Sequence, residues 1–584
     1  MKTKTKIICT IGPSVSSEES IEALIHAGMN VARLNFSHRT HEEHEAVIFR
    51  LKKVRSRLGV PLAIMLDTKG PEIRLKEIEG GEAYFEKGDK LVLSKTAAPG
   101  KVQITPPNIV DQLKESVRIL LDDGKIEGIV VEKLNDDAIV ELQNSGLIRS
   151  GKGVNIPNIS LNLPAVTPRD VEDIKFGCLL DIDLIAASFI RSADDILTIK
   201  RILADEKRSD ILVIAKIENM EGVDNFDSIV QVADGIMIAR GDLGVEVPIS
   251  HVPRLQKMMI RKCYLAGKPS VTATQMLESM VSNPRPTRAE ASDVANAIYD
   301  STSAVMLSAE TAIGKYPIET VKVMKSIIEE AEADFKYKEF FQNFSSVSYH
   351  DVPSSVALAS VKTAYSSEAQ AIFAFTSSGS TARLISRLRP AIPIIAMTSV
   401  KKAYHQLALN WGVIPLLSEP VDSINQAFNK ISEYALKEKY VHYGDLVVIT
   451  AGAPFGVSGT TNMMLVESIG DVLVRGYKGL GRRVHGRVLF VHTPESKKPY
   501  EAQGRLLVLS RCSDVYLPLI RESDGFILQN LIEDTESEKL AFKYAEELKK
   551  PLIVRADGAQ NTLKEGQLAT LDPDKALVYK GVVL

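Results

Sequence analysis

Cysteine is scarce in this sequence: Cys9, Cys178, Cys263 and Cys512 are scattered over 584 residues. Their separations give neither metal-ligand spacing nor a disulfide framework, so a reducing cytoplasm is the expected setting. Long apolar runs are missing too, and none reaches the length of a bilayer span, so no membrane role is expected. A basic excess is lacking: 71 Lys and Arg stand against 74 Asp and Glu, a net charge of −3. That balance argues against nucleic acid or an anionic membrane as partner. The first residues, MKTKTKIICTIGPS, open with basic side chains, but Gly12-Pro13 breaks a short apolar run, so no secretory signal is expected. Heptads and low-complexity segments are absent.

The sequence has an ordinary globular composition, 45% hydrophobic and 25% charged. Its length exceeds what one core holds and predicts roughly three to five domains. Strand-like stretches at 6–13 (with a turn at its end), 30–37 and 62–68 alternate with helical stretches at 18–27 and 41–58, the pattern of a parallel α/β sheet. A Gly-, Lys- and Glu-rich β-type insertion follows. Five further strands are expected at 183–189, 211–218, 235–240, 270–275 and 304–310. Three strands before the insertion and five after predict a closed (β/α)8 TIM barrel, with a doubly wound open sheet as the fallback. The expected domains are a barrel over 1–70 and 165–345, an inserted β-rich lid over 71–164, an α/β domain over 346–472 and a small extra domain over 473–584. In that last segment a helix opens with Thr535-x-x-Glu538, a capping-box pattern.

The strand ends carry the chemistry. Lys216 and Glu218 are two apart, so on a strand they share one face. A plain ion pair at a strand end is the alternative. Other strands end in Arg33, Asn35, Ser37 and His38; in Asp67 and Thr68; in Arg240-Gly241-Asp242; in Thr274; and in Ser308 and Glu310. Polar groups at nearly every C-terminal strand end predict one site at the barrel mouth. Glu218 and Asp242 are hard oxygen ligands without His or Cys beside them, which suits magnesium or manganese. Lys216 is a compact cation able to neutralise charge on a phosphoryl group or an enolate. Arg33 offers a fork for phosphate. The stretch Gly241-Asp242-Leu-Gly opens a short helix whose N–H groups suit a carboxylate. Asn35, Ser37, Asp67 and Thr68 are oxygen donors carrying one negative charge, a set that fits a monovalent cation.

These residues lie in stretches that resemble the pyruvate kinase family: Cys9-Thr-Ile-Gly-Pro13, Ala32-Arg-Leu-Asn-Phe-Ser-His38, Leu66-Asp-Thr-Lys-Gly-Pro-Glu-Ile-Arg74, Ile214-Ala-Lys-Ile-Glu-Asn219, Ala239-Arg-Gly-Asp-Leu-Gly244, Ala273-Thr-Gln-Met-Leu-Glu-Ser-Met280 and Asn283-Pro-Arg-Pro-Thr-Arg-Ala-Glu290. The resemblance covers the chain to about Gly470. It implies a glycolytic enzyme transferring the phosphoryl group of phosphoenolpyruvate to ADP, giving pyruvate and ATP. It implies that Glu218 and Asp242 hold Mg2+ or Mn2+, and that Asn35, Ser37, Asp67 and Thr68 bind K+. Arg33 and Lys216 would act on the phosphoryl group. Gly241, Asp242 and Thr274 would hold the carboxylate. His38, Arg74 and Lys152, with Asn35, would contact the nucleotide. Glu72 goes with potassium dependence in the family. A water near Thr274 and Ser308 is the expected proton source. Ala309 stands where the family often has glycine, a small departure beside the site. A cytoplasmic homotetramer is implied.

The loop Thr376-Ser377-Ser378-Gly379-Ser380-Thr381 sits where the family binds phosphorylated effectors, and Gly456-Val-Ser-Gly-Thr-Thr461 resembles the second effector loop. Fructose bisphosphate, AMP or a sugar monophosphate are the open choices. The tail after Gly470 resembles the swivelling phosphohistidine domain of phosphoenolpyruvate-using enzymes. The corresponding stretch, 530–539, has no histidine, so a structural or interaction module is expected. Two rival readings are an enolate-forming barrel that works on carbon–carbon bonds and a non-catalytic scaffold. ADP dependence separates the first, and the intact Lys216, Glu218 and Asp242 weigh against the second.

Overall fold

Eight short, almost wholly buried runs become the strands on which the site stands. They are β1 (Lys6–Thr10), β2 (Val31–Asn35), β3 (Ala63–Asp67), β4 (Leu184–Ala187), β5 (Leu212–Ile217), β6 (Gly235–Ala239), β7 (Ser270–Ala273) and β8 (Ala304–Leu307). The structure, a computed structural model, describes residues 3–157, 159, 161–345, 351–421, 423–453 and 459–583. The strands close into a barrel in the order β1-β8-β7-β6-β5-β4-β3-β2, every neighbour parallel, as the expected TIM barrel requires. Both faces of each strand are covered, which is why the strands read as continuous apolar runs. Inward-facing Ile8, Met65, Ile214, Met237 and Met306 fill the interior, while Ile7, Leu34, Leu66, Ile217 and Ile238 pack outward under the helices.

Helix starts are set by local capping. Ser17 Oγ accepts from Ser20 N at 3.2 Å at the head of Glu18–Ala27. Capping boxes open the helices His41–Leu58, Pro168–Leu179, Ala193–Asp205 and Arg288–Tyr299. Each cap contributes about 1 kcal/mol and fixes where a loop at the barrel mouth ends. All eight strands stop short of their expected ends, and two of them show why. β7 stops at Ala273 because Thr274 and Gln275 turn into the left-handed region (φ 68° and 55°). β8 stops at Leu307, and Ala309–Ala312 is already helical. The short helix expected after β6 is present as Arg240–Glu246.

Between β3 and the helix Pro168–Leu179 the chain forms a seven-stranded sheet and a ribbon of Glu82–Phe85 with Gly146–Arg149. They enclose their own core, which includes Leu93, Ile104, Ile119, Leu121 and Val140.

The chain divides into two compact units. The first comprises Met1–Leu358, Ala374–Pro420 and Ala451–Asn462, and holds barrel and insertion. Within it the strands Ile394–Thr398 and Val413–Leu417 pair in parallel. Arg389 is buried there; its guanidinium donates to Ser301 O at 2.8 Å and Ser303 Oγ at 3.0 Å and lies 4.7 Å from the Trp411 ring. The second unit comprises Ala359–Phe373, Val421–Thr450 and Met463–Leu584. Its main feature is an eight-stranded mixed sheet over residues 472–580, packed by the helix Thr535–Leu548. The cap of that helix differs from expectation: Asp534, not Thr535, accepts from Ser537 N at 3.1 Å. The sequence Asp-Thr-Glu-Ser offers two overlapping caps, and the aspartate takes the position.

All four cysteines are buried and unpaired, and burial pushes the Cys512 thiol up to about 12. Among the described residues no helix is long and apolar enough to cross a membrane.

Candidate active site

Strand register brings the predicted residues to one level. Asn35 is paired with Asp67, Asp67 with Ala186, and Lys216 with Met237. At the centre Lys216 Nζ lies 3.0 Å from Asp67 Oδ1, 2.7 Å from Ser188 Oγ and 3.1 Å from Glu218 Oε1. The predicted shared face of Lys216 and Glu218 is therefore present. Arg33 Nε donates to the other Asp67 oxygen at 2.5 Å, and Arg33 Nη1 to Thr10 Oγ1 at 2.9 Å. Burial works against the charge on Lys216, but Asp67 and Glu218 outweigh it and hold its pKa above the ordinary lysine range. Burial likewise works against the Asp67 carboxylate, and Arg33 and Lys216 reverse the balance and keep it ionised. Asp67 thus spends both oxygens on the two cations that the sequence assigns to the phosphoryl group.

Glu218 and Asp242 behave differently. Burial pushes Glu218 up to about 7; Lys216 opposes the shift, while Asp242 adds to it. Burial also raises Asp242. Two carboxylates are short of positive charge at one spot, which is the condition a divalent cation relieves. Among the described residues no three His, Cys, Asp or Glu side chains converge as a metal cluster. Oxygen-only donors fit Mg2+ or Mn2+ with the remaining positions left to substrate and water. The potassium set is also all oxygen, with Thr68 Oγ1 accepting from Ser188 N at 3.1 Å and Asn35 Oδ1 from Ser37 N at 3.1 Å.

This electrostatics predicts a pH dependence. The folded protein holds the Glu218 proton more tightly than the unfolded chain does. Stability of the metal-free protein therefore falls as pH rises from the ordinary glutamate value of 4.5 through about 7. A divalent cation held at Glu218 would compete with that proton, so the melting-temperature increment from Mg2+ is expected to grow across the same window. Thermal unfolding at several pH values, with and without Mg2+, tests this, and Glu218→Gln is expected to flatten both trends.

Across the mouth, Gly241 N donates to Thr274 Oγ1 at 2.7 Å, and Thr274 Oγ1 donates to Ala273 O at 2.6 Å. The Gly241 N–H assigned to a carboxylate therefore already has an acceptor in Thr274. Arg240 braces the same turn: it donates to Thr274 O at 2.9 Å and pairs with Asp293 at 2.7 Å. Ser308 Oγ is buried and, among the described residues, without a hydrogen-bond partner. Glu310 faces inward as a brace, accepting from Ser308 N at 2.6 Å and Leu277 N at 3.1 Å.

A cavity of about 580 Å³ lies between the insertion and the barrel and reaches the predicted site at Asp242. Its lining includes Arg74, Lys152, Phe189, Met220 and Asp242. Arg74 pairs with Glu72 at 2.6 Å and Lys152 with Asp122 at 2.9 Å. His38 is exposed beside Asn35 and Ser37; its carbonyl meets His44 Nε2 at 2.8 Å. The loop 376–381 lies in the α/β segment. Gly379 N donates to Thr376 Oγ1 at 2.9 Å, Ser378 and Ser380 hydroxyls are 3.4 Å apart, and Thr381 Oγ1 meets Thr461 Oγ1 at 2.6 Å. Arg383 Nη1 donates to Ser378 O at 3.0 Å. Of the second loop, residues 456–458 lie outside the described residues.

Sequence reasoning missed Ser188. Its hydroxyl touches Lys216, Asp67 Oδ1 (3.2 Å) and Thr68 O (2.6 Å), and the next N–H, of Phe189, donates to Glu218 Oε2 at 2.5 Å. The signal was available: Ser188 directly follows β4, as Thr274 and Ser308 directly follow β7 and β8.

Comparison with known proteins points the same way. A family model described as pyruvate kinase, barrel domain, matches residues 2–321, and one described as pyruvate kinase, alpha/beta domain, matches residues 354–467. The chain is 42% identical to a pyruvate kinase of Sporosarcina psychrophila, with 99% of each chain covered. It is 42% identical to one of Geobacillus stearothermophilus, covering 100% of this chain and 99% of the relative. A pyruvate kinase of Staphylococcus aureus (strain MRSA252) is 41% identical, with 99% of each chain covered.

Proposed function

This chain belongs to the pyruvate kinase family, and from that premise we propose that its barrel mouth moves the phosphoryl group of phosphoenolpyruvate to ADP, giving pyruvate and ATP. The observation that carries the assignment to these residues is the pairing of a charge-deficient Glu218–Asp242 site with the Lys216–Asp67–Arg33 cluster beside it.

The incoming phosphoryl group is an anion that competes with Asp67 for Arg33 and Lys216. Arg33 fixes it through its fork, and Lys216 stays beside the oxygen that becomes the enolate. Thr274 and the Gly241–Asp242 backbone orient the carboxylate once the Thr274 hydroxyl yields the Gly241 N–H. Arg74 and Lys152 come from the insertion, with Asn35 and His38 from the barrel, to hold the nucleotide phosphates in line. Glu218 and Asp242 would hold a divalent ion, which would supply charge neutralisation during the transfer. Asn35, Ser37, Asp67 and Thr68 would hold potassium, which would supply a further fixed positive charge. A proton then reaches the enolate carbon from water near Thr274 and Ser308. The insertion excludes bulk water during transfer, which keeps the phosphoryl group from hydrolysis.

We further assign the loop 376–381 to a phosphorylated small-molecule effector, with Arg383 as an added cation, and expect a cytoplasmic homotetramer. The domain division given from sequence is retained in this reading. Pyruvate formation from phosphoenolpyruvate, with and without ADP, in Mg2+ with K+ or Na+, tests the main reading. Turnover is expected to need ADP and to fall when Na+ replaces K+. Turnover indifferent to ADP would overturn it.

A further inference from the structure

The two chain segments that join the insertion to the barrel are each held by a barrel side chain. Where the chain leaves, Gly70 N donates to Asp170 Oδ1 at 3.0 Å, and Asp170 Oδ2 accepts from Thr167 N at 2.9 Å on the returning side. Gly70 has φ 75°, and an added Cβ would stand 2.8 Å from Phe189 Cδ2, so this crossing is closely fitted. Where the chain returns, Arg191 takes over. Its Nη1 donates to Leu161 O at 3.0 Å, and its Nη2 to Leu163 O at 2.8 Å and Pro164 O at 3.2 Å. One guanidinium thus grips three carbonyls of a segment that has no sheet partner there. The side chain is 13% exposed and lies 4.0 Å from Asp195, which also accepts from Arg191 N at 2.8 Å. Asn225 Nδ2 donates to Arg191 O at 2.8 Å, so the gripping residue is itself fixed at its backbone.

Arg191 belongs to the same short loop as Ser188 and Phe189. Ser188 Oγ bonds Lys216 Nζ, and Phe189 N bonds Glu218. Three residues of one loop therefore touch the central lysine, a metal-ligand candidate and the returning segment of the insertion.

We propose that Arg191 is a positioning residue for the lid: by latching the carbonyls of residues 161, 163 and 164 it sets where Arg74 and Lys152 stand in the cavity that they line together with Asp242. A fork is required, because three carbonyls at different angles need several donors in a fixed plane, which the single ammonium of lysine does not provide. The inference rests on the phosphotransfer reading above. It concerns placement of the nucleotide rather than binding of phosphoenolpyruvate, whose contacts all come from the barrel.

The test compares the full-length protein with Arg191→Gln and Arg191→Lys. Steady-state kinetics is expected to give an ADP KM raised about tenfold or more in Arg191→Gln. Calorimetric titration with phosphoenolpyruvate and Mg2+, without ADP, is expected to give the wild-type affinity. Amide hydrogen exchange over residues 161–166 is expected to accelerate while the barrel strands stay protected. Arg191→Lys should fall between the two and also covers the case in which the glutamine variant does not fold. An unchanged ADP KM in both variants overturns the proposal. A parallel loss of ADP and phosphoenolpyruvate affinity with a lowered melting temperature also overturns it, since that is the signature of a merely structural role. If the wild-type protein makes no pyruvate, the phosphotransfer reading has failed. The exchange measurement then decides the latch alone: unchanged exchange at 161–166 refutes it.

Discussion

Lys216→Met lowers kcat by roughly 10²–10³-fold, the scale found when one preorganised donor is removed from a developing charge. Methionine keeps the unbranched length and removes only the ammonium. The KM for ADP is expected to stay near wild type, because the nucleotide contacts assigned to Arg74 and Lys152 lie in the insertion. The variant also loses stability. Lys216 stands between buried Asp67 and Glu218, at 3.0 and 3.1 Å, and its removal leaves both carboxylates with less compensation. Breaking a buried pair costs about 3–5 kcal/mol; the low end applies here, because Arg33 still neutralises Asp67 at 2.5 Å. Glu218 and Asp242 are then shorter still of positive charge, so the Mg2+ concentration needed for half-maximal stabilisation is expected to fall. Steady-state kinetics together with urea unfolding measures both parts. A kcat close to wild type would remove Lys216 from the chemistry.

Asp67→Asn has the larger effect on folding. Asp67 is fully buried and is the shared partner of Arg33 and Lys216. The amide leaves two buried cations facing a neutral group, a loss of about 3–5 kcal/mol. Phosphoenolpyruvate brings the missing negative charge, so it is expected to stabilise Asp67→Asn more than it stabilises the wild type. On the proposed reading, the same exchange of partners in the wild type would free Asp67 oxygens for potassium. The affinity for potassium should therefore rise when phosphoenolpyruvate is present, and Asp67→Asn should abolish that coupling. The double variant Lys216→Met with Asp67→Asn should be less destabilised than the sum of the singles, since each removes what the other strands. Denaturant titrations of the four proteins, with and without phosphoenolpyruvate, read these terms. Additive losses would mean that the two groups do not act as a pair.

The barrel was legible because its signal is local. Each strand is a short apolar run, and a polar residue either ends it or follows it at once. Lys216 and Glu218 could be put on one face by counting two residues. The strand ends were less legible. Thr274 and Gln275 carry no residue that forbids extension, so their left-handed backbone, which terminates β7, has no mark in the sequence. Least legible were groups whose partners lie far along the chain. Asp170 reads as half of a capping box with Thr167, and nothing local announces that it also holds Gly70, 100 residues away. Arg191 reads as a solvated charge at a loop, although its guanidinium is spent on carbonyls of the insertion. Asp67 reads as a cation ligand, and only the closed barrel brings both Arg33 and Lys216 to it.

The four buried thiols have a practical use. A maleimide reagent needs an accessible thiolate, and Cys9, Cys178, Cys263 and Cys512 offer none in the folded protein. The native chain is therefore a quiet background for labelling. One cysteine placed at an exposed site on the insertion and another on an outer barrel helix would be the reactive pair. Dyes on those two positions would report the insertion's movement by energy transfer without first stripping the protein of its own sulfur.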